Sequence, residues 1–317
     1  MLKFRTPMSV LLPVSVSLAV AFSLNVDAGE QSMTVPQVDL GIKSNGEYHR
    51  VSEYDVPKEH TIGDGTIAYE GPGIESDKVA YRLYLDERSV LDVFGKKTAD
   101  PVLHKVGRGD DYHVMSDWGM DILKVGNSLG SGGLGVYENG KMRMVGPARS
   151  LSVQVADQNP ETASFVVNHE GLDSDSGAFN LKTQYSMEKQ SRLLTVQAQS
   201  SQQAPVLAAG LVIHPGIEFL KSENQPESSW AYIATYGVQT LIDDELGLAL
   251  FYQTDSVSEV KNDGSTYGVV FNAERPIHYK VAAAWVAEPG GIVDFDAFKQ
   301  YLEEERALLD STVASTP

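Results

Sequence analysis

Polar and apolar side chains alternate at period two along most of the chain beyond residue 28. The stretch FNLKTQYSMEK sets Phe179, Leu181, Thr183, Tyr185 and Met187 against Asn180, Lys182, Gln184, Ser186 and Glu188. That is the pattern of a strand buried on one face. LLTVQAQSS, LAAGLVIHPG, LGLALFYQT, TYGVVFNAE and HYKVAAAWVAE continue in the same style. Turn signals separate them: Glu138-Asn139-Gly140, Asn262-Asp263-Gly264, residues 173–177 and Glu288-Pro289-Gly290-Gly291. Strands recurring about every 8–12 residues predict an all-β fold, a large two-sheet antiparallel sandwich. Helical spacing is found once. After Asp294, a predicted N-cap, FDAFKQYLEEERALL brings Phe295, Phe298, Leu302, Glu305 and Leu309 near one face, which predicts a C-terminal helix packed on a sheet.

The first 28 residues break the pattern. Lys3 and Arg5 precede an apolar stretch over residues 8–22, and Val26-Asp27-Ala28 supplies small residues at the −3 and −1 positions of a cleavage site. Residues 1–28 therefore read as a secretory signal peptide, and 29–317 as a single β-sandwich domain that is periplasmic or secreted. With no cysteine anywhere, this domain is held by packing alone.

Charge sharpens the picture. The chain carries 43 Asp and Glu against 25 Lys and Arg, a net charge of −18. Such acidity excludes nucleic acid as a partner and, after signal cleavage, an anionic membrane. The excess is unevenly spread. Residues 70–149 hold eleven basic and twelve acidic side chains, whereas the rest of the chain beyond residue 28 holds 12 and 30. Within the balanced stretch, YRLYLDERS alternates again. Tyr81, Leu83 and Leu85 form one face, and Arg82, Tyr84, Asp86 and Arg88 the other. Interleaved charge of both signs is commonly a salt-bridged face; inside a negative molecule it also suits a cationic pocket for an anionic ligand, with the polar face turned to an open concavity.

A second unusual region, residues 107–141, is dense in Gly, Asp, His, Tyr and Trp. Its glycines Gly130, Gly132, Gly133 and Gly135 lack the Gly-Lys-Ser/Thr of a phosphate loop and read as a tight loop before a strand. Gly126 to Gly130 spells a serine nucleophile motif, GNSLG, but without the strand–turn–helix context that the chemistry needs. Tyr112 and His113 are candidate proton-transfer groups, since imidazole titrates near neutrality. Asp117 or Asp121 is placed to orient the histidine, and Trp118 to stack on a sugar ring. His214 stands out among the other histidines because it ends a strand before Pro215-Gly216. No cofactor is called for. His104, His113, Asp110, Asp111 and Asp117 carry donor atoms for a divalent metal, at no recognised metal-site spacing, so a metal is left open.

YEGPGIESDKVAYRLYLDERSVLDVFGKK and YHVMSDWGMDILKVGNSLGSGGLG together resemble the signature of a family of secreted bacterial proteins known only as a domain of unknown function. The resemblance is strong over residues 69–135, about a fifth of the chain. The family accompanies enzymes that degrade acidic polysaccharides of algae and plants, and is related to an oligosaccharide dehydratase acting on ulvan fragments. The resemblance implies a carbohydrate-active protein and is compatible with a galactose-mutarotase-like supersandwich.

Joined to the residues, it suggests elimination across C4–C5 of a uronic acid in an oligosaccharide, by dehydration or by lyase cleavage. Such chemistry needs cations on the carboxylate, a base for the C5 proton and an acid for the departing oxygen. The expected assignments are Arg82, Arg88 and Lys124 on the carboxylate, with His113 and Tyr84 as base and acid. Tyr112, Trp118 and His214 would line the sugar site, and Asp86 or Asp117 would tune the cations. Two alternatives stay open: a glycoside hydrolase or mutarotase-like enzyme built on carboxylates such as Glu70, Glu75 or Asp117, and a non-catalytic carbohydrate-binding protein.

Overall fold

The computed structural model describes residues 35–314 except 202, 203, 224, 226 and 274; the expected signal peptide, 1–28, lies outside the described residues. The architecture is an all-β sandwich with a C-terminal helix. One layer is a nine-stranded antiparallel sheet. In spatial order it comprises Glu218–Lys221, Trp230–Val238, Glu245–Gln253, Ile277–Trp285, Leu193–Ser200, Phe179–Glu188, Thr162–Leu172, Ser150–Gln158 and Glu53–Asp55. The facing layer is divided. One five-stranded sheet orders Gln37–Asp39, Gly73–Glu75, Val79–Leu83, Leu91–Lys96 and Gly119–Asp121. The other orders Lys141–Arg143, Ser131–Glu138, Leu207–Val212, Thr266–Phe271 and Val257–Asn262.

The expected single facing sheet is thus split, and the split has a local cause. Among the described residues, one isolated parallel bridge, Leu91 to Gly130, joins the two halves. Gly130 has φ +69°, and a Cβ there would lie 2.0 Å from the Leu91 carbonyl oxygen, so this turn both requires glycine and interrupts the ladder. The remaining glycines of the run lie inside the strand Ser131–Glu138, rather than in the loop that their density predicts. Gly132 lets the two layers touch: a Cβ would meet Val281 Cγ1 at 2.1 Å, and Tyr279 Oη donates to the Gly132 carbonyl at 2.9 Å.

Alternation works as expected in the large sheet, where Phe179–Glu188 buries every second residue. Side chains from these three larger sheets meet in one apolar cluster; a fourth, two-stranded sheet pairs Gly41–Ser44 with Glu47–Arg50. Tyr81 pins the layers together, its hydroxyl accepting from the Ala283 N–H at 2.7 Å and donating to the Arg192 carbonyl at 2.8 Å. On the other side of the large sheet lies the helix Phe295–Ala314. Asp294 caps it, Oδ1 accepting from the Ala297 N–H at 2.8 Å. Phe298, Leu302 and Leu309 pack on Trp230, Phe251 and Ala282. Among the described residues no helix is long and apolar enough to cross a membrane.

The strand Val79–Leu83 departs from expectation, for it is buried on both faces. Tyr81 and Leu83 enter the main core, as the alternation predicts. The second face, expected to open on a concavity, is roofed by Tyr69, Leu103 and Val106, which pack with Ala80 and Phe94 and are flanked by Tyr112 and Trp118. The small Ala80 and the flat Phe94 ring give this roof an apolar seat. Beneath it, Lys96 and Glu75 form a sealed ion pair at 2.7 Å, both side chains at 0% exposure. Glu75 also accepts from Gln37 Nε2 at 2.7 Å and from the Leu103 N–H at 2.9 Å, and Lys96 donates to the Ser76 carbonyl at 2.6 Å. Glu75 therefore ties the roofing segment to the sheet and has no access to a sugar, which removes it from the hydrolase candidates. Breaking one side of such a pair strands the other charge. Lys96→Ala is expected to lose about 3–5 kcal/mol of stability by urea denaturation; a loss below about 1 kcal/mol would contradict this role.

Candidate functional site

The residues singled out between 82 and 121 converge under and around that roof. Arg82 lies in the strand Val79–Leu83, paired in register with Asp92 of Leu91–Lys96, while Asp121 ends the next strand, Gly119–Asp121. A hairpin turning near residue 87 places Arg82 and Asp92 opposite each other on the same face. Arg82 Nη2 donates to Asp92 Oδ2, to Asp121 Oδ2 at 2.7 Å and to Tyr84 Oη at 2.7 Å. Its Nη1 donates to the Tyr69 carbonyl at 3.1 Å. Tyr84 Oη in turn donates to Asp92 Oδ2 at 2.8 Å. The guanidinium also lies 4.3 Å from the Tyr84 ring centroid and 5.0 Å from that of Phe94. All of this is buried, with Arg82 only 1% exposed.

These contacts revise two assignments. Arg82 cannot grip a substrate carboxylate, because two protein carboxylates already occupy it inside a closed roof; the salt-bridged face describes this residue. Tyr84 cannot serve as a free acid, because its proton goes to Asp92 and burial, followed by the Asp92 charge, pushes its pKa far up. Arg88 remains at the edge. Its Nε bonds both oxygens of Asp86, at 2.9 and 3.1 Å, Nη2 sits 3.4 Å from Glu70 Oε1, and its guanidinium stacks 3.6 Å from the Tyr84 ring centroid. No hydrogen bond among the described residues uses its Nη1, and its side chain is 22% exposed. Asp86 tunes a cation as expected, and that cation is Arg88.

His113 is open to solvent, its side chain 55% exposed. Its Nδ1 is 3.3 Å from Asp111 Oδ1, its Nε2 3.6 Å from Asp121 Oδ2, and its ring lies 4.4 Å from that of Tyr112. Asp121 supplies the carboxylate beside it, as one of the two predicted choices; Asp117, the other, is exposed in the turn 116–119 and shares no hydrogen bond or ion pair with the imidazole among the described residues. Tyr112 and Trp118 pack edge-on against Phe94, at 6.0 and 6.1 Å, so Trp118 acts as a buttress more than an open stacking platform. Lys124 and His214 neighbour each other but share no hydrogen bond, ion pair or ring contact with the Arg82 cluster among the described residues. The GNSLG serine, Ser128, spends its hydroxyl on the Val125 carbonyl at 2.7 Å. Nowhere among the described residues do three His, Asp or Glu side chains converge as a metal site.

A family model matches residues 21–314, which includes every residue of this cluster. The chain belongs to the family described as domain of unknown function DUF4861. No curated protein matches it. Within this DUF4861 chain, Asp92 escaped the sequence reading although it mirrors Arg82 across the turn, and Asp111 was considered only as a metal donor.

The electrostatics of the cluster follow from one cation facing two carboxylates. Burial, and then the Asp92 charge, push the Asp121 carboxyl up to about 8, against the pull of Arg82. A proton on Asp121 leaves Arg82 and Asp92 as a neutral pair. For Arg82 itself burial opposes the charge, but Asp121 and Asp92 outweigh it and keep the guanidinium protonated. Truncating Arg82 would leave both acids buried without a counter-ion, so Arg82→Ala is expected to unfold the domain or cost about 3–5 kcal/mol by denaturant titration. Asp121 gives a pH signature. Its folded pKa is raised above the unfolded value of about 4, so its contribution is fully present below that value and is lost as pH rises through about 8. The stability of the wild type relative to Asp121→Asn should therefore fall as pH rises between those limits. A melting-temperature difference that stays flat would contradict a raised Asp121 pKa.

Proposed function

We propose that the protein is an exported carbon–oxygen lyase acting on uronic-acid-containing oligosaccharides, forming a 4,5-unsaturated uronate by dehydration or by chain cleavage. The observation that carries the reading is the accessible imidazole of His113, set between Asp111 and the proton-bearing Asp121, in the same cluster as an Arg88 whose Nη1 is unengaged. Export draws on the charged and apolar pattern of residues 1–28. The acidic-sugar substrate draws on the resemblance to proteins that accompany polysaccharide-degrading enzymes, ulvan-related ones among them.

The steps use this chain's own groups. Arg88 Nη1 pairs with the uronate carboxylate, which stabilises negative charge developing at C5. His113 takes the C5 proton. The C5–H electrons form the C4=C5 bond and the C4–O bond breaks. The departing oxygen takes its proton from Tyr112, a half-buried phenol whose pKa burial raises, so that it keeps its proton at neutral pH. In dehydration that oxygen leaves as water, and in cleavage it leaves as the next sugar's hydroxyl. Arg82, Asp92 and Tyr84 act at one remove, holding the Asp121 carboxyl beside His113.

A panel of uronate-containing oligosaccharides read by absorbance near 235 nm and by mass tests this. Loss of 18 mass units signifies dehydration, and chain scission signifies lyase cleavage. Removing a general base costs about 10²–10⁴-fold in rate, so His113→Ala should lose that much while its melting temperature stays put, the side chain being largely solvent-exposed. Saturated products, or binding with no chemical change across the panel, would overturn the proposal in favour of a hydrolase or a sugar-binding protein respectively.

A further inference from the structure

A second cluster of chemistry lies beyond Asp86. The cavity there measures ≈ 510 Å³, within the range of small-molecule sites, and is lined by Lys58, His60, Glu87, Arg149 and His169 together with Asp86. Two cations, Lys58 and Arg149, and two acids, Asp86 and Glu87, line it in a chain of net charge −18. Lys58 is exposed and has no ion-pair partner among the described residues. Arg149, 71% exposed, has only a loose approach of 3.7 Å to the equally open Glu170. Of the two acids, Asp86 is already neutralised by Arg88, which leaves Glu87 alone against two cations.

His60 adds an oriented imidazole. Asp64 accepts from the Thr66 N–H at 2.8 Å, from the Thr61 N–H at 3.1 Å and from His60 Nδ1 at 2.8 Å. Burial works against the Asp64 charge, but the two backbone N–H groups hold its pKa down to about 2. An ionised Asp64 can only accept, so Nδ1 carries a proton towards it. Nε2 is enclosed and has no partner among the described residues. Ile62, 49% exposed, and Pro147 add apolar surface of the sort a sugar ring's C–H face covers.

We infer that this cavity is a binding subsite for an anionic sugar, in which Lys58 and Arg149 pair with a carboxylate or sulfate ester and Ile62 and Pro147 meet the ring. Only the choice of a sugar acid rests on the lyase reading; the charge layout stands without it. Asp86 lines this cavity and also holds Arg88, so the two sites share one ion pair as their wall. Successive acidic residues of one oligosaccharide would span them.

The test is calorimetric titration of the full chain with glucuronate in one arm, glucose 6-sulfate in another and neutral glucose as the reference. At least one anionic sugar should bind saturably and more tightly than glucose, and the preferred arm identifies the group. Lys58→Ala/Arg149→Ala should weaken that binding about tenfold, the sum of two exposed ion pairs. His113→Ala should leave it unchanged. Equal affinity for all three sugars, undiminished binding in the double variant, or loss of binding in His113→Ala alone would each overturn the assignment. Binding that follows the expected pattern without any unsaturated product in the lyase assay would retain this subsite and remove the lyase reading.

Discussion

One guanidinium shared between two buried carboxylates organises the whole region that carries the family resemblance. Arg82 joins three neighbouring strands through Asp92, Asp121 and the Tyr69 carbonyl. A charge placed that deep is tolerated only when oppositely charged and hydrogen-bonding groups surround it. Tyr84 adds to them by accepting from Arg82 and donating to Asp92, while Arg82 Nε and Asp121 Oδ1 have no partner among the described residues. The arrangement still has one negative charge too many, and the raised pKa of Asp121 is how the interior resolves it. A structural necessity thereby produces a chemically useful group: a carboxyl that changes charge within reach of an exposed imidazole. The roof of Tyr69, Leu103 and Val106 maintains the low dielectric on which the shift depends.

The same network explains how much could be read from the sequence. Period-two alternation located the strands of the large sheet, because one face of Phe179–Glu188 meets the core and the other meets solvent. The helix was legible from Asp294 and the spacing of Phe298, Leu302 and Leu309. Alternation misled at Val79–Leu83. A period-two pattern distinguishes two faces but does not say what covers each, and here a distant segment around Leu103 covers the polar one. Arg82 looked like a ligand-binding cation for that reason. The division of the facing layer was equally hidden, since it turns on a single left-handed glycine, Gly130, inside a run that reads as an ordinary loop. The cavity beside Asp86 is hidden in the sequence because Lys58, Arg149 and His169, which line it together, lie far apart along the chain.

Net charge sets a further constraint on the proposed chemistry. A molecule of −18 repels a polyanionic substrate at long range, although salt confines that repulsion to about 8 Å at physiological ionic strength. Inside that distance local groups decide. Most cations of the balanced stretch are consumed by the protein: Arg82 by Asp92 and Asp121, Lys96 by Glu75, Arg108 by Asp39. Arg88 keeps Nη1 free of hydrogen bonds among the described residues, and it, Lys58 and Arg149 stand at or near solvent on either side of Asp86. On the proposed reading, the acidic surface discourages indiscriminate adhesion to anionic polymers, while this short row of cations admits a chain whose acid groups match its spacing. Buried ion pairs and rim cations are then complementary: pairing the interior cations with protein acids leaves the charges at the edge as local attraction for a sugar acid.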